Sequence, residues 1–134
     1  MIVKKSALLR AQTSNDSYSA EQQFSKQLFE FCDVLLLRFV ERGPEKFCAE
    51  MSLAFVEEAI EDFVRTARAL KVKSTEFYLA HSLRSMYNAC QNWQKVTPVG
   101  VSTRMQTFLG LFERLRAEKS FDSESAVAAA RIWG

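Results

Sequence analysis

Few side chains in this sequence carry chemistry beyond packing: one histidine, three cysteines and one dense acidic run. His81 stands between Ala80 and Ser82. A lone imidazole can serve as a general base or as an axial haem ligand. Either role needs partners, and no Asp or Cys stands at an obvious partner spacing. No Gly-rich phosphate loop, HExxH or GxSxG occurs. No catalytic residue, cofactor or metal ligand is therefore assigned, and the expectation is a protein that is not an enzyme.

The cysteines Cys32, Cys48 and Cys90 are far apart, odd in number and without a CxxC pair. Each falls among apolar residues, so buried reduced thiols are expected, pointing to a reducing compartment. The acidic run is Glu57-Glu58-Ala59-Ile60-Glu61-Asp62. Glu58 and Glu61 have the three-residue spacing used in carboxylate di-metal bundles, but those sites also need Glu-x-x-His motifs, and there is none. A solvated helix face is the plain reading. The functional one is an acidic protein-docking surface made of Glu57, Glu58, Glu61 and Asp62.

Arg65, Arg68, Lys71 and Lys73 form a basic string, with Arg84, Lys95, Arg104, Arg114, Arg116 and Lys119 further along. Cations are favoured at a helix C-terminus by the dipole alone. If several share a face, they would make a nucleic-acid footprint, with Arg65, Arg68, Lys71, Lys73 and Arg104 as its candidate residues. The stretch Val99 to Met105 superficially resembles the turn and recognition-helix start of a helix-turn-helix. Pro98 stands where the preceding helix should still run and would break it. At the end of the chain, Ile132 and Trp133 finish an Ala-rich segment that can dock on its own bundle or on a neighbour. Docking on its own bundle is favoured.

Bulk numbers set the frame for these residues. A chain of 134 residues has the size of one domain and can bury a sizeable core without disulfides or a metal. Eleven Phe against four Gly and two Pro favour long helices over a turn-rich β fold. The net charge of +2 is unevenly spread. Residues 1–64 hold seven basic and eleven acidic residues, net −4, while 65–119 hold ten and three, net +7. Such a dipolar layout suits self-association or a charged partner. Cancellation between the two halves inside the fold is the favoured reading. The run Val34-Leu35-Leu36-Leu37 is far short of the ~20 apolar residues that span a bilayer, so no membrane role is expected. The first ten residues hold no apolar run of signal-peptide length. They are basic with no acid before Asp16, as in transit peptides, but the cytoplasm is the expected location.

The elements that must position these residues are helical. Residues 1–18 read as a flexible or loosely attached arm, with a loop at Gln12 to Ser17. Residues 19–134 read as one helical-bundle domain. A first helix over 20–42 has a capping-box spacing at Ser19 and Gln22. It is apolar on nearly every side, so it is either the central helix or part of a dimer interface. Gly43 and Pro44 separate it from a second helix over 44–70, whose core face runs Phe47, Met51, Phe55, Ala59, Phe63, Ala67 and Leu70, widened by Val56, Ile60 and Val64; a bend near Ser52 is compatible with its length. A third helix is expected over 75–95, a loop over 96–102, and a fourth helix over 103–119. A short fifth follows over 123–132, with Phe121 stapled onto Val127. The fold class is thus all-α, an antiparallel bundle of four main helices plus a short C-terminal helix.

The leading functional expectation is a small non-enzymatic intracellular regulatory or adaptor protein that binds a protein partner, as a homodimer. A nucleic-acid-binding regulator using the basic half is the alternative. An enzyme or ligand sensor with a pocket near His81 comes last. An exposed apolar stripe on the first helix would favour the first reading, and a contiguous basic face the second.

Overall fold

The computed structural model describes residues 19–51, 54–72, 74–91 and 98–133. The expected arm at 1–18, the expected bend at Ser52, and Lys73 lie outside the described residues. Six helices are described: α1 (Ala20–Arg42), α2 (Pro44–Met51), α3 (Ala54–Ala69), α4 (Thr75–Gln91), α5 (Pro98–Lys119) and α6 (Ser125–Trp133). They pack on one another as an all-α bundle. Helix α4 lies antiparallel to α3, since Arg84 pairs with Glu61 and His81 faces Arg68. It lies antiparallel to α5 as well: Thr75 reaches Glu118 at one end, and Cys90 shares a small cavity with Met105 at the other.

Local chemistry sets the helix ends. The Ser19 hydroxyl accepts from the Gln22 N–H at 3.1 Å, and the Gln22 side chain accepts from the Ser19 N–H at 3.0 Å, completing the expected capping box. Gly43 closes α1 at φ +82°, a conformation that side chains resist, and its N–H donates to the Phe39 carbonyl at 2.9 Å. Two further ends use a left-handed residue that is not glycine. Lys71 at φ +56° ends α3, where the Val72 N–H reaches the Ala67 carbonyl and the Lys71 N–H that of Arg68. These are the two bonds of a Schellman motif. Ser120 at φ +58° ends α5 in the same manner, with Phe121 N–H on the Arg116 carbonyl. The buried side chain of Val72 and the partly buried ring of Phe121 hold these turns against the core.

Helix α1 is the central helix, touching all five others. That explains why its sequence is apolar almost all round: most of its circumference is covered within one chain. Phe24 and Phe31 both meet Phe63 of α3, with ring centroids 6.0 and 5.1 Å apart. On another side Phe29 stacks on Phe112 of α5 at 4.6 Å. Aromatic pairs of this kind add roughly 0.5–1.5 kcal/mol each beyond area burial. The terminal helix α6 docks on α1 and α5, burying Ala126 and Ala129.

Three expectations need correction. Phe55, expected on the core face of the helix over 44–70, is 52% exposed. Residues 44–51 and 54–69 are helical as α2 and α3, and 52–53 lie outside the described residues. The buried row of α3 is Val56, Ala59, Ile60, Phe63, Val64 and Ala67, as expected apart from Phe55. At ~100° per residue Phe55 sits roughly 140° from Ile60, off that row. Next, Pro98 does not interrupt a loop. It is the first residue of α5, where its missing N–H removes no helical hydrogen bond. Residues 99–102, expected as loop, are therefore helical, and the turn of a helix-turn-helix does not form. Residues 92–95, the expected end of the third helix, lie outside the described residues. Finally, Phe121 packs on Phe29 at 4.7 Å, and Val127, its expected staple partner, is half exposed.

Candidate functional site

A concavity lies where α1, α2 and the start of α3 meet. It is a cleft of about 250 Å³ lined by Leu35, Phe47, Met51, Phe55 and Val56, with Arg38 and Glu50 at its edge. Each element contributes for a local reason. Leu35 and Arg38 are one turn apart on α1, so both face the same groove. Phe47 and Met51 are spaced by four on α2. Phe55, in the first turn of α3, lies off the buried row of that helix and is 52% exposed at the cleft. The Glu50 carboxylate is held by Arg38 at 3.1 Å and Arg42 at 2.8 Å. On the neighbouring face of α1, Leu37 is 47% exposed. Val34, half-buried, lies one turn from both Leu37 and Arg38, so an apolar strip runs up to the cleft.

The size of the cleft restricts what it can hold. Ordinary small-molecule sites enclose roughly 300–1,000 Å³ and bury most of the ligand. This one is smaller, open, and lacks convergent polar groups on its floor. It suits an anchor side chain from another polypeptide.

The expected acidic surface is divided by the fold. Glu57 and Glu58 are exposed on α3, and Glu57 approaches the Tyr87 hydroxyl and helps hold that phenol above its ordinary pKa, behind burial as the larger cause. Glu61 is bound to Arg84 of α4. Asp62 is buried, with Arg65 3.7 Å away. Ile132 and Trp133 are on α6, which packs on the bundle.

The basic residues are divided as well. Arg65, Arg68 and Lys71 are exposed together at the C-terminal end of α3. Arg104, also exposed, lines the small cavity beside Cys90, whereas Arg68 adjoins His81. Those neighbours are nine residues apart on α4, roughly 14 Å along the axis at ~1.5 Å per residue. One compact footprint therefore does not join Arg104 to the others. Internal cancellation of charge is partial: Arg84–Glu61 and Arg65–Asp62 join the acidic and basic halves, while Arg116–Glu113 and Lys119–Glu76 pair within the basic half.

His81 packs on Phe77 with ring centroids 4.5 Å apart. Its pKa is lowered, first by burial and then by Arg68 and Arg84. Both effects favour the neutral ring, and its Nε2 is buried without a hydrogen-bond partner. The described cavities are lined by other residues. No group of three or more His, Cys, Asp or Glu side chains among the described residues could hold a metal ion, and none of the described helices is long and apolar enough to cross a membrane.

Sequence reasoning did not find the cleft or its edge. Arg38 and Glu50 look like ordinary helix residues, and the spacing by four from Phe47 and Met51 places Phe55 in the core. No protein-family model matches the chain, and no curated protein or solved structure matches it either.

Proposed function

We propose that this protein is a small non-enzymatic regulatory or adaptor protein that works by binding protein, and that its first partner is a second copy of itself. The observation that carries this reading is the half-exposed Phe55 beside an apolar cleft of about 250 Å³. A two-fold dimer buries the same patch on both copies, so the patch must complement itself. A projecting ring next to a hole that can receive a ring meets this condition. So does an edge carrying both signs, since the two-fold axis can bring Arg38 or Arg42 of one copy to Glu50 of the other. Leu37 and Val34 extend the apolar area along α1. An aromatic anchor in a pocket surrounded by charged residues is the usual arrangement of an interface hot spot.

Sedimentation velocity across the micromolar range is the test. The expected result is a reversible dimer that Phe55→Ser converts to monomer with the helical circular dichroism unchanged. A wild-type chain that stays monomeric throughout, or a dimer indifferent to Phe55→Ser, would rule this interface out.

A second reading rests on a different end of the bundle. Arg65, Arg68 and Lys71 are exposed near the start of α4, where Tyr78 is 60% exposed. Cations beside an open aromatic face suit single-stranded nucleic acid. Fluorescence anisotropy at low and moderate salt decides it: binding to RNA that weakens steeply with salt supports this reading, and no binding at low salt removes it.

A further inference from the structure

Cys48 of α2 and Cys90 of α4 are far apart in the sequence, yet both line one small void where these helices meet. Both are free thiols, and they are only 2% and 5% exposed. They border a void of about 10 Å³ with Phe39, Phe47 and Met105. That is close to the smallest space that admits one water-sized molecule. We propose that Cys48 and Cys90 are a peroxide-oxidisable pair whose disulfide locks α2 onto α4.

Buried thiols are ordinarily inert. This pair differs in two respects. The two side chains border the same small void, which brings them together between α2 and α4. The two thiols are also unequal: the hydrogen bond from Cys90 pulls the Cys48 pKa down against the effect of burial, while the same bond, followed by burial, pushes the Cys90 pKa up. Cys48 is therefore the attacking sulfur and Cys90 the resolving one. Sulfur of Cys48 attacks hydrogen peroxide, an S–O bond forms, the O–O bond breaks, and the released hydroxide leaves as water with the Cys48 proton. The Cys90 sulfur then attacks the sulfenic sulfur, the S–O bond breaks, and a second water leaves with the Cys90 proton. Two thiols are oxidised to one disulfide and one peroxide is reduced to two waters. Cys32, buried on α1 with its pKa raised by burial and by Asp33, stays reduced.

The experiment treats the full chain with excess hydrogen peroxide, then unfolds it in N-ethylmaleimide and weighs it intact. Reduced protein takes up three labels, one for each cysteine. Oxidised protein is expected to take up one, to weigh two hydrogens less before labelling, and to yield a peptide joining Cys48 to Cys90. Dithiothreitol should restore all three labels. Cys32→Ser should behave like wild type apart from its missing label. Cys90→Ser should stop at the sulfenic acid of Cys48, trapped by dimedone. The crosslink should also raise the melting temperature, because it restricts the unfolded chain. Three labels after peroxide, or a disulfide that uses Cys32 or joins two chains, overturns the proposal. The wild-type label count decides this even if a serine variant fails to fold.

Discussion

The two ends of the bundle are closed by different chemistry. At the start of α4 the closure is polar. Glu76 is buried, accepts hydrogen bonds from the hydroxyls of Ser25 and Ser74, and lies 3.5 Å from Lys119. Thr75 beside it donates to Glu118 at 3.0 Å. These contacts bind α4 to α1 and α5 through groups that are costly to leave without partners. At the other end of α4 the closure is soft and apolar: Cys48, Cys90, Phe39, Phe47 and Met105 fill the interior, and the cleft beside Phe55 opens nearby. A polar closure fixes one geometry, because a half-satisfied network is worse than none. A closure of thiols, methionine and phenylalanine tolerates small shifts. The soft end therefore carries both the proposed contact surface and the proposed oxidisable pair, while the polar end keeps the helices in register.

The strongest way to break this contrast is to remove Glu76. Glu76→Ala strands the buried hydroxyl of Ser25 and removes the partner of the more exposed Ser74 and Lys119. Hydrogen bonds to a charged group are worth about 1.5–3 kcal/mol each. The expected loss is about 3 kcal/mol, read as a lower urea midpoint with an unchanged slope. Glu76→Gln keeps the shape and should lose about half of that. A loss within about 0.5 kcal/mol for both, as for ordinary surface sites, would mean that this end is not held by its polar network.

A pH series sharpens the same point. Burial alone would raise the pKa of Glu76, but the hydrogen bonds from Ser25, Ser74 and its own backbone N–H, with the charge of Lys119, lower it overall. A carboxylate whose folded pKa is depressed contributes stability above its unfolded pKa, and loses it as pH falls through the folded value. Urea unfolding between about pH 6 and pH 3 should therefore show wild type losing stability faster than Glu76→Gln, so the two curves converge in acid. Parallel curves would assign the acid sensitivity to other carboxylates.

Much of this architecture was legible in the sequence, and the misses have physical causes. Ser19 and Gln22 announced their capping box because both partners lie within four residues. The coverage of α1 was readable from its apolar circumference, and the docking of α6 from its small apolar residues. Glu76 went unnoticed because its partners Ser25 and Lys119 are distant in the chain, and a carboxylate in the first turn of a helix looks ordinary. The Cys48–Cys90 contact depends on how α2 meets α4, which spacing within a helix cannot report. The run from Glu57 to Asp62 read as one acidic face, yet the packing of α3 on α4 ties Glu61 to Arg84 and buries Asp62. Pro98 was read as a breaker, although at a first helical position it is a good starter. For Glu76, Cys48, Cys90 and Glu61 the deciding partner lay on another helix.

The smallest expected effect on stability concerns Phe55, and its smallness is what makes it informative. Replacing a large aromatic in a core costs about 3–5 kcal/mol. Because Phe55 is half exposed, Phe55→Ser should change the unfolding free energy of the isolated chain by less than about 0.5 kcal/mol. Phe47→Ala, on the buried wall of the same cleft, should cost several times more. Urea unfolding at a protein concentration low enough to populate the monomer separates folding from association, because dimerisation adds stability that depends on concentration. A core-sized loss at Phe55 under those conditions would return the ring to the core face that periodicity suggests, and with it remove the projecting ring on which self-recognition depends.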